Sequence, residues 1–176
     1  MLRTLGVLGG MGPLATASFM NQVIALSPAK NDQEHIPMFI RNIPQIPDRT
    51  KFLMGLEDEN PFFELKKGFK ELTSLGVSCI VIPCNTAHYW YDALTKNADV
   101  HTISIVKSVI KQVKATGKQK VGILATTATL NMGIYQNAFK QHNIDFVDPN
   151  TQQQAAIMDG ITAVKAGDLN KGRHLL

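Results

Sequence analysis

The stretch Gly76 to His88, G-V-S-C-I-V-I-P-C-N-T-A-H, constrains this chain more than any other. Val77 to Ile82 is a short, nearly unbroken apolar run rich in β-branched residues. That pattern belongs to a strand covered on both faces of a parallel sheet. Pro83 ends the run. Cys84 then stands just beyond the carboxyl end of the strand, where open α/β sheets place their ligands. Asn85 and Thr86 are helix-starting residues, and Ala87 to Leu94 is expected to continue as a helix. A thiol, an amide and a hydroxyl would then meet at a helix start, whose N–H groups attract a carboxylate and stabilise a thiolate. A cysteine is also often no more than a buried small hydrophobe. Cys79, inside the apolar run, suits that reading; Cys84, among polar neighbours, suits it less.

The rest of the chain alternates strands and helices. Leu5 to Gly9 reads as a strand, Gly9–Gly10–Met11–Gly12–Pro13 as a tight loop, and Leu14 to Leu26 as a helix. The loop contains G-x-G-x-x-A at Gly10, Gly12 and Ala15, which raises a dinucleotide site. The next strand, Met38 to Ile43, ends without the acidic residue that would hold a ribose. The glycines are better read as letting backbone N–H groups approach a small anion. Ile43 to Thr50, I-P-Q-I-P-D-R-T, reads as a fixed loop leaving the same sheet edge. Arg49 could grip a carboxylate from there, or form with Asp48 an exposed loop pair. A helix over Phe62 to Leu75 feeds the Cys84 strand.

A second series follows: an extended piece at His101 to Ile105, a helix at Val106 to Ala115, a strand at Val121 to Ala125, and T-T-A-T-L leading into a helix to about His142. Then come a strand at Ile144 to Val147, a helix at Thr151 to Lys165, and a further helix opening near Asp168. V-G-I-L-A-T-T at Val121 to Thr127 echoes G-V-L-G-G-M at Gly6 to Met11. The expected fold is α/β, with two pseudo-symmetric three-layer lobes built on parallel sheets. Residues 1–100 would form the first lobe, with Cys84, and 101–176 a second, incomplete one that stops early.

Composition narrows the function. With 176 residues the chain can bury one sizeable core or two small lobes. Two cysteines are too few for a disulfide framework, and without a histidine pair they do not suggest zinc, so no metal and a reducing cytoplasm are expected. The opening M-L-R-T-L-G-V-L-G-G is too glycine-rich for a secretory signal, and no stretch is long enough to span a membrane. The net charge of +4 is spread out; its densest cluster, Lys107 to Lys120, has no interleaved aromatics and reads as a solvated helix face, not a nucleic-acid surface.

Four stretches, in order, resemble the aspartate/glutamate racemase family, in particular its bacterial aspartate racemase branch. They are L-G-V-L-G-G-M-G-P-L-A-T (Leu5 to Thr16), I-P-D-R-T (Ile46 to Thr50), P-C-N-T-A-H (Pro83 to His88) and V-K-A-G-D (Val164 to Asp168). The resemblance implies two lobes with the active site between them and inversion at the α-carbon of an acidic amino acid. It implies no cofactor, and a homodimer. It makes Cys84 one of two acid/base thiols. Asn85 and Thr86 would bind the α-carboxylate end, Arg49 and Lys165 substrate carboxylates, and Met11 and Thr50 would line the pocket. His88 could tune the thiol or serve as a cap. A second catalytic cysteine, expected in a later glycine-cysteine-threonine motif, has no counterpart here, and Cys79 precedes Cys84 on the same strand. The alternative is therefore a member that binds acidic amino acids or small dicarboxylates without racemising them.

Overall fold

The computed structural model describes residues 3–176. In chain order its elements begin with β1 (Leu5–Gly9), α1 (Pro13–Leu26), β2 (Met38–Asn42), α2 (Arg49–Leu53), α3 (Phe62–Ser74) and β3 (Cys79–Val81). There follow α4 (Tyr91–Thr95), β4 (His101–Ile103), α5 (Ile105–Thr116), β5 (Lys120–Gly122), α6 (Thr127–Asn131) and α7 (Ile134–Gln141). The last are β6 (Asp145–Val147), α8 (Thr151–Lys165) and α9 (Leu169–Leu175). Every strand pair is parallel, so the chain is an α/β protein with parallel sheets, as its sequence predicts.

The chain divides into two compact units. The first takes the residues up to Pro47, with Asn60–Cys84 and Trp90–Ser104. The second takes Asp48–Glu59, Asn85–Tyr89 and Ile105–Leu176.

The first unit is built on a four-stranded sheet in the order β2-β1-β3-β4. The stretch at His101, read from the sequence as opening a second series, pairs as β4 with β3, placing Thr102 opposite Ile80. Side chains alternate across a strand, and β1 uses both faces. Leu5 and Val7, with Val81 of β3, pack against Phe19 and Val23 of α1. Leu8, on the opposite face, meets α3 at Gly68, where an added Cβ would stand 2.7 Å from Leu8 Cδ1. The absent side chain lets the helix lie close to the strand. Leu65, Phe69 and Leu72 of α3 are buried with it. The apolar run behaves as read: Val77, Ile80, Val81 and Ile82 are all buried, although only Cys79–Val81 pairs as strand.

The second unit holds the β5–β6 sheet and a core of Ile110, Ile123, Ala125, Tyr135, Phe139 and Ile144. The Phe139 ring contacts those of Tyr135 and Phe146 at centroid distances of 6.0 and 6.1 Å. On α5, Ile110 turns inward while Lys107, Lys111 and Lys114 are exposed, which matches a solvated helix face. The single helix expected to reach His142 is two helices. Gly133, at φ 65°, ends α6 in a left-handed turn, its N–H donating to Leu130 O, and α7 starts afresh. That conformation costs glycine little and other residues more.

Candidate active site

In the first unit, the ends of adjacent strands set two candidates side by side in the topology. Met11 follows β1 through Gly10, and Cys84 follows β3 through Ile82 and Pro83. Both side chains are buried. Cys84 N–H donates to Ile82 O at 2.8 Å, which fixes the tight exit from the strand. Both cysteines are thiols. Cys79 lies within β3, opposite Leu5 and His101; burial pushes its thiol above the ordinary range, and the charge of Arg3 offsets this only in part.

In the glycine loop the Gly10 N–H is already taken. Gly10 N–H donates to Thr16 Oγ1 at 2.9 Å, and Gly9 O accepts from Ile43 N–H at 3.2 Å. These two bonds tie β1 to α1 and to the residue after β2. The small residues are there for close approach: a Cβ on Gly10 would stand 2.3 Å from the Ile43 carbonyl carbon.

The remaining candidates belong to the second unit. The loop read over Ile43 to Thr50 stops at Asp48, which caps α2 by accepting from Thr50 N–H at 2.7 Å and Lys51 N–H at 2.9 Å. Asp before a short helix satisfies donors that would otherwise lack partners. Arg49 and Thr50 are therefore helical. Arg49 is only 7% exposed, which overturns the exposed Asp48–Arg49 pair. Burial alone would raise the Asp48 carboxyl. The Lys51 N–H, the charges of Lys165 and Arg49, and the Thr50 N–H outweigh it and hold the carboxyl below its ordinary value of 3.8. So Arg49 and Lys165, 116 positions apart in the sequence, both act on one carboxylate. Lys165 itself is exposed at the end of α8.

A pH dependence follows. A carboxyl whose folded pKa lies below its unfolded one adds stability above the unfolded value and loses it as pH falls through the folded one. Asp48→Asn is expected to flatten the fall in melting temperature below about pH 4, as a thermal-melt series from pH 6 to pH 2 would read. A variant that keeps the full acid slope would contradict the assignment.

Asn85 and Thr86 are held by groups that the sequence did not single out. Thr86 is buried, and its Oγ1 lies 2.9 Å from Thr126 Oγ1 and 3.0 Å from Thr129 Oγ1, themselves 2.9 Å apart. Thr126 also caps α6, accepting from Thr129 N–H at 3.2 Å. The α6 helix packs in turn against α2, which carries Arg49 and Thr50. Asn85 is exposed, but its amide oxygen accepts a hydrogen bond from the Tyr135 hydroxyl. The T-T-A-T run was a visible signal for the hydroxyl cluster; nothing near Tyr135 in the sequence marks its partner 50 positions away.

The segment after Cys84 is not one helix over Ala87 to Leu94. A 3-10 turn covers Thr86–Trp90 and only Tyr91–Thr95 is α-helical. Tight turns of this kind often open α-helices. The result has too few aligned peptides for the dipole that a full helix would bring to a thiolate. His88 is buried and its Nε2 accepts the Ile105 N–H at 3.0 Å, capping the first residue of α5.

Among the described residues, no three His, Cys, Asp or Glu side chains gather as a metal site, and no helix is long and apolar enough to cross a membrane. An apolar groove of about 320 Å³ in the second unit, lined by Leu124, Val147, Ile157 and Leu176, contains none of the candidate residues.

Residues 8–176 match the family model for Asp/Glu/hydantoin racemases. The broad specificity amino-acid racemase RacX of Bacillus subtilis is 32% identical over 169 residues, 92% of this chain and 70% of RacX. The structure of Picrophilus torridus aspartate racemase superposes with a TM-score of 0.89 at 31% identity, over 98% of this chain and 72% of that one. An aspartate racemase homologue from Pyrococcus horikoshii gives 0.71 at 22% identity, over 90% and 69% of the two chains, and speaks to the fold alone. The chain therefore belongs to the Asp/Glu/hydantoin racemase family.

Proposed function

We propose that this chain is a cofactor-independent amino-acid racemase for aspartate or glutamate, moving the α-proton through a cysteine thiol. The observation that carries the reading is the run Cys84–Asn85–Thr86 just beyond β3, a thiol followed at once by an amide and a hydroxyl. The Cys84 thiolate takes the α-proton from one face: the C–H bond breaks, an S–H bond forms, and the electron pair stays on carbon beside the carboxylate until a proton returns there, from the same S–H with retention or from an acid on the opposite face with inversion. Asn85 and Thr86 hold the α-carboxylate end. Arg49 and Lys165 bind substrate carboxylates and offset the charge that develops, electrostatic stabilisation being usually the largest single term in catalysis. Met11 and Thr50 are substrate contacts. The family likeness supports a cytoplasmic homodimer.

A second reading is favoured by Cys79. Its place inside β3, with a thiol pushed up by burial, leaves one thiol at a strand end. Inversion needs acid/base groups on both faces of the carbon, and this reading makes the chain a binder of acidic amino acids or small dicarboxylates that does not invert them.

Both readings require binding. Titration calorimetry with D- and L-aspartate is expected to give heat with at least one enantiomer. Arg49→Lys, which keeps the charge but loses the planar fork, should weaken it by about tenfold to a hundredfold. No heat from the folded chain with either aspartate or glutamate would overturn both.

A further inference from the structure

Tyr135 is built unlike a residue that merely fills space. It lies on the first turn of α7, directly after the Gly133 break, with its ring in the core beside Phe139 and only 7% exposed. Its hydroxyl leaves that core to donate to Asn85 Oδ1. Burial pushes the phenol up to about 12, so the hydroxyl keeps its proton and stays a donor at neutral pH.

An asparagine amide has two faces, an acceptor oxygen and a donor –NH2, and turning it over exchanges them. On an exposed residue such as Asn85 that turn is cheap unless something holds one end. Tyr135 donates to the oxygen; turned over, the amide would hand that hydroxyl an N–H and take away the acceptor of its proton. The group left to meet a ligand is then the –NH2, which can only donate. Next along the chain, Thr86 is similarly immobilised by the Thr126 and Thr129 hydroxyls.

We infer that Tyr135 is a positioning residue: by holding the amide oxygen of Asn85 it fixes that amide with its –NH2 toward the substrate, so the position reads a carboxylate and rejects a group that itself presents N–H. The inference rests on the proposed binding of an acidic amino acid and deepens it by naming what sets specificity at the α-carboxylate. A ligand whose α-carboxylate is replaced by a carboxamide offers N–H against N–H in one orientation and a weaker, neutral oxygen in the other, and is discriminated against.

Tyr135→Phe removes one oxygen and keeps the ring that packs in the core. Calorimetry with L-aspartate and with its α-amide, isoasparagine, reads the consequence. In the variant the affinity for aspartate falls about tenfold, the scale of one charge-assisted hydrogen bond, while that for isoasparagine stays or rises, because the amide can now turn. The melting temperature moves by only a few degrees. Asn85→Asp supplies an independent arm: its carboxylate still accepts from Tyr135 but has no donor to show, and aspartate binding is lost with the fold intact. An unchanged aspartate affinity in Tyr135→Phe, or equal losses for both ligands, overturns the inference. If the unaltered chain binds neither aspartate nor glutamate, the reading beneath it has failed as well, which the unaltered protein alone reveals.

Discussion

Cys84→Ser is expected to slow α-proton exchange of aspartate by about 10²- to 10⁴-fold, the range of a lost acid/base group, while the protein melts within a few degrees of the unaltered chain. The substitution keeps the shape of a side chain only 8% exposed and exchanges a thiol for a hydroxyl, which gives up its proton far less readily. The two numbers must be read together. If the folded state loses several kcal/mol, on the order expected for a core packing defect, and exchange is unaffected, Cys84 is a packing residue and its position past β3 has no chemical meaning. If exchange disappears and stability does not, the thiol acts on substrate.

Gly10→Ala carries the largest expected effect on stability. Gly10 has φ 98°, and a Cβ there would meet Ile43 C, N and O at 2.3, 2.4 and 2.5 Å. Those are backbone atoms of the residue whose N–H bonds Gly9 O, so no side chain can swing aside. The backbone strain costs about 1–3 kcal/mol and the overpacking about as much again. A fall in melting temperature of roughly 5–15 °C follows for a chain of this length. Differential scanning calorimetry reads it directly. A variant that melts like the unaltered protein would mean that the turn can rebuild itself, and that the glycine is not needed for the approach of the two strand ends.

Much of the fold was legible because local signals agreed. The α8 helix spans Thr151–Lys165 as read, and the structure shows why it starts there: Asn150 and Gln153 form a reciprocal capping box. β1 is the five-residue apolar run before the glycines. The misreadings share a cause, in that partners distant in sequence decided the outcome. In the glycine loop, read as offering N–H groups to an anion, that of Gly10 is taken by Thr16. The helix expected after Cys84 became a 3-10 turn and one short α-helix, with Tyr91 OH donating to Thr102 O and His88 accepting from Ile105. Short exchanges of chain between the two units, such as Asp48–Glu59 and Asn85–Tyr89, carry no periodic pattern at all.

The site divides in the same way. Its reactive and charged members, Cys84, Arg49 and Lys165, stood out through residue type and motif. Burial of Arg49 and the shared action of Arg49 and Lys165 on Asp48 could not be seen, because they depend on α2 beginning at Arg49 and on the end of α8 coming near it. Tyr135, Thr126 and Thr129 do no chemistry that a sequence pattern advertises. They hydrogen-bond to Asn85 and Thr86, and only the folded chain brings these partners together.

The most direct test of the central claim is α-proton exchange in D2O, followed by proton NMR on this chain with D- and L-aspartate taken separately. Loss of the α-proton signal is expected for at least one enantiomer, and a loss slower by about 10²- to 10⁴-fold in Cys84→Ser. Exchange of both enantiomers with inversion identifies a racemase, and exchange with retention a single working thiol. If neither aspartate nor glutamate exchanges while Cys84 is verified as a reduced thiol, the racemase reading is contradicted.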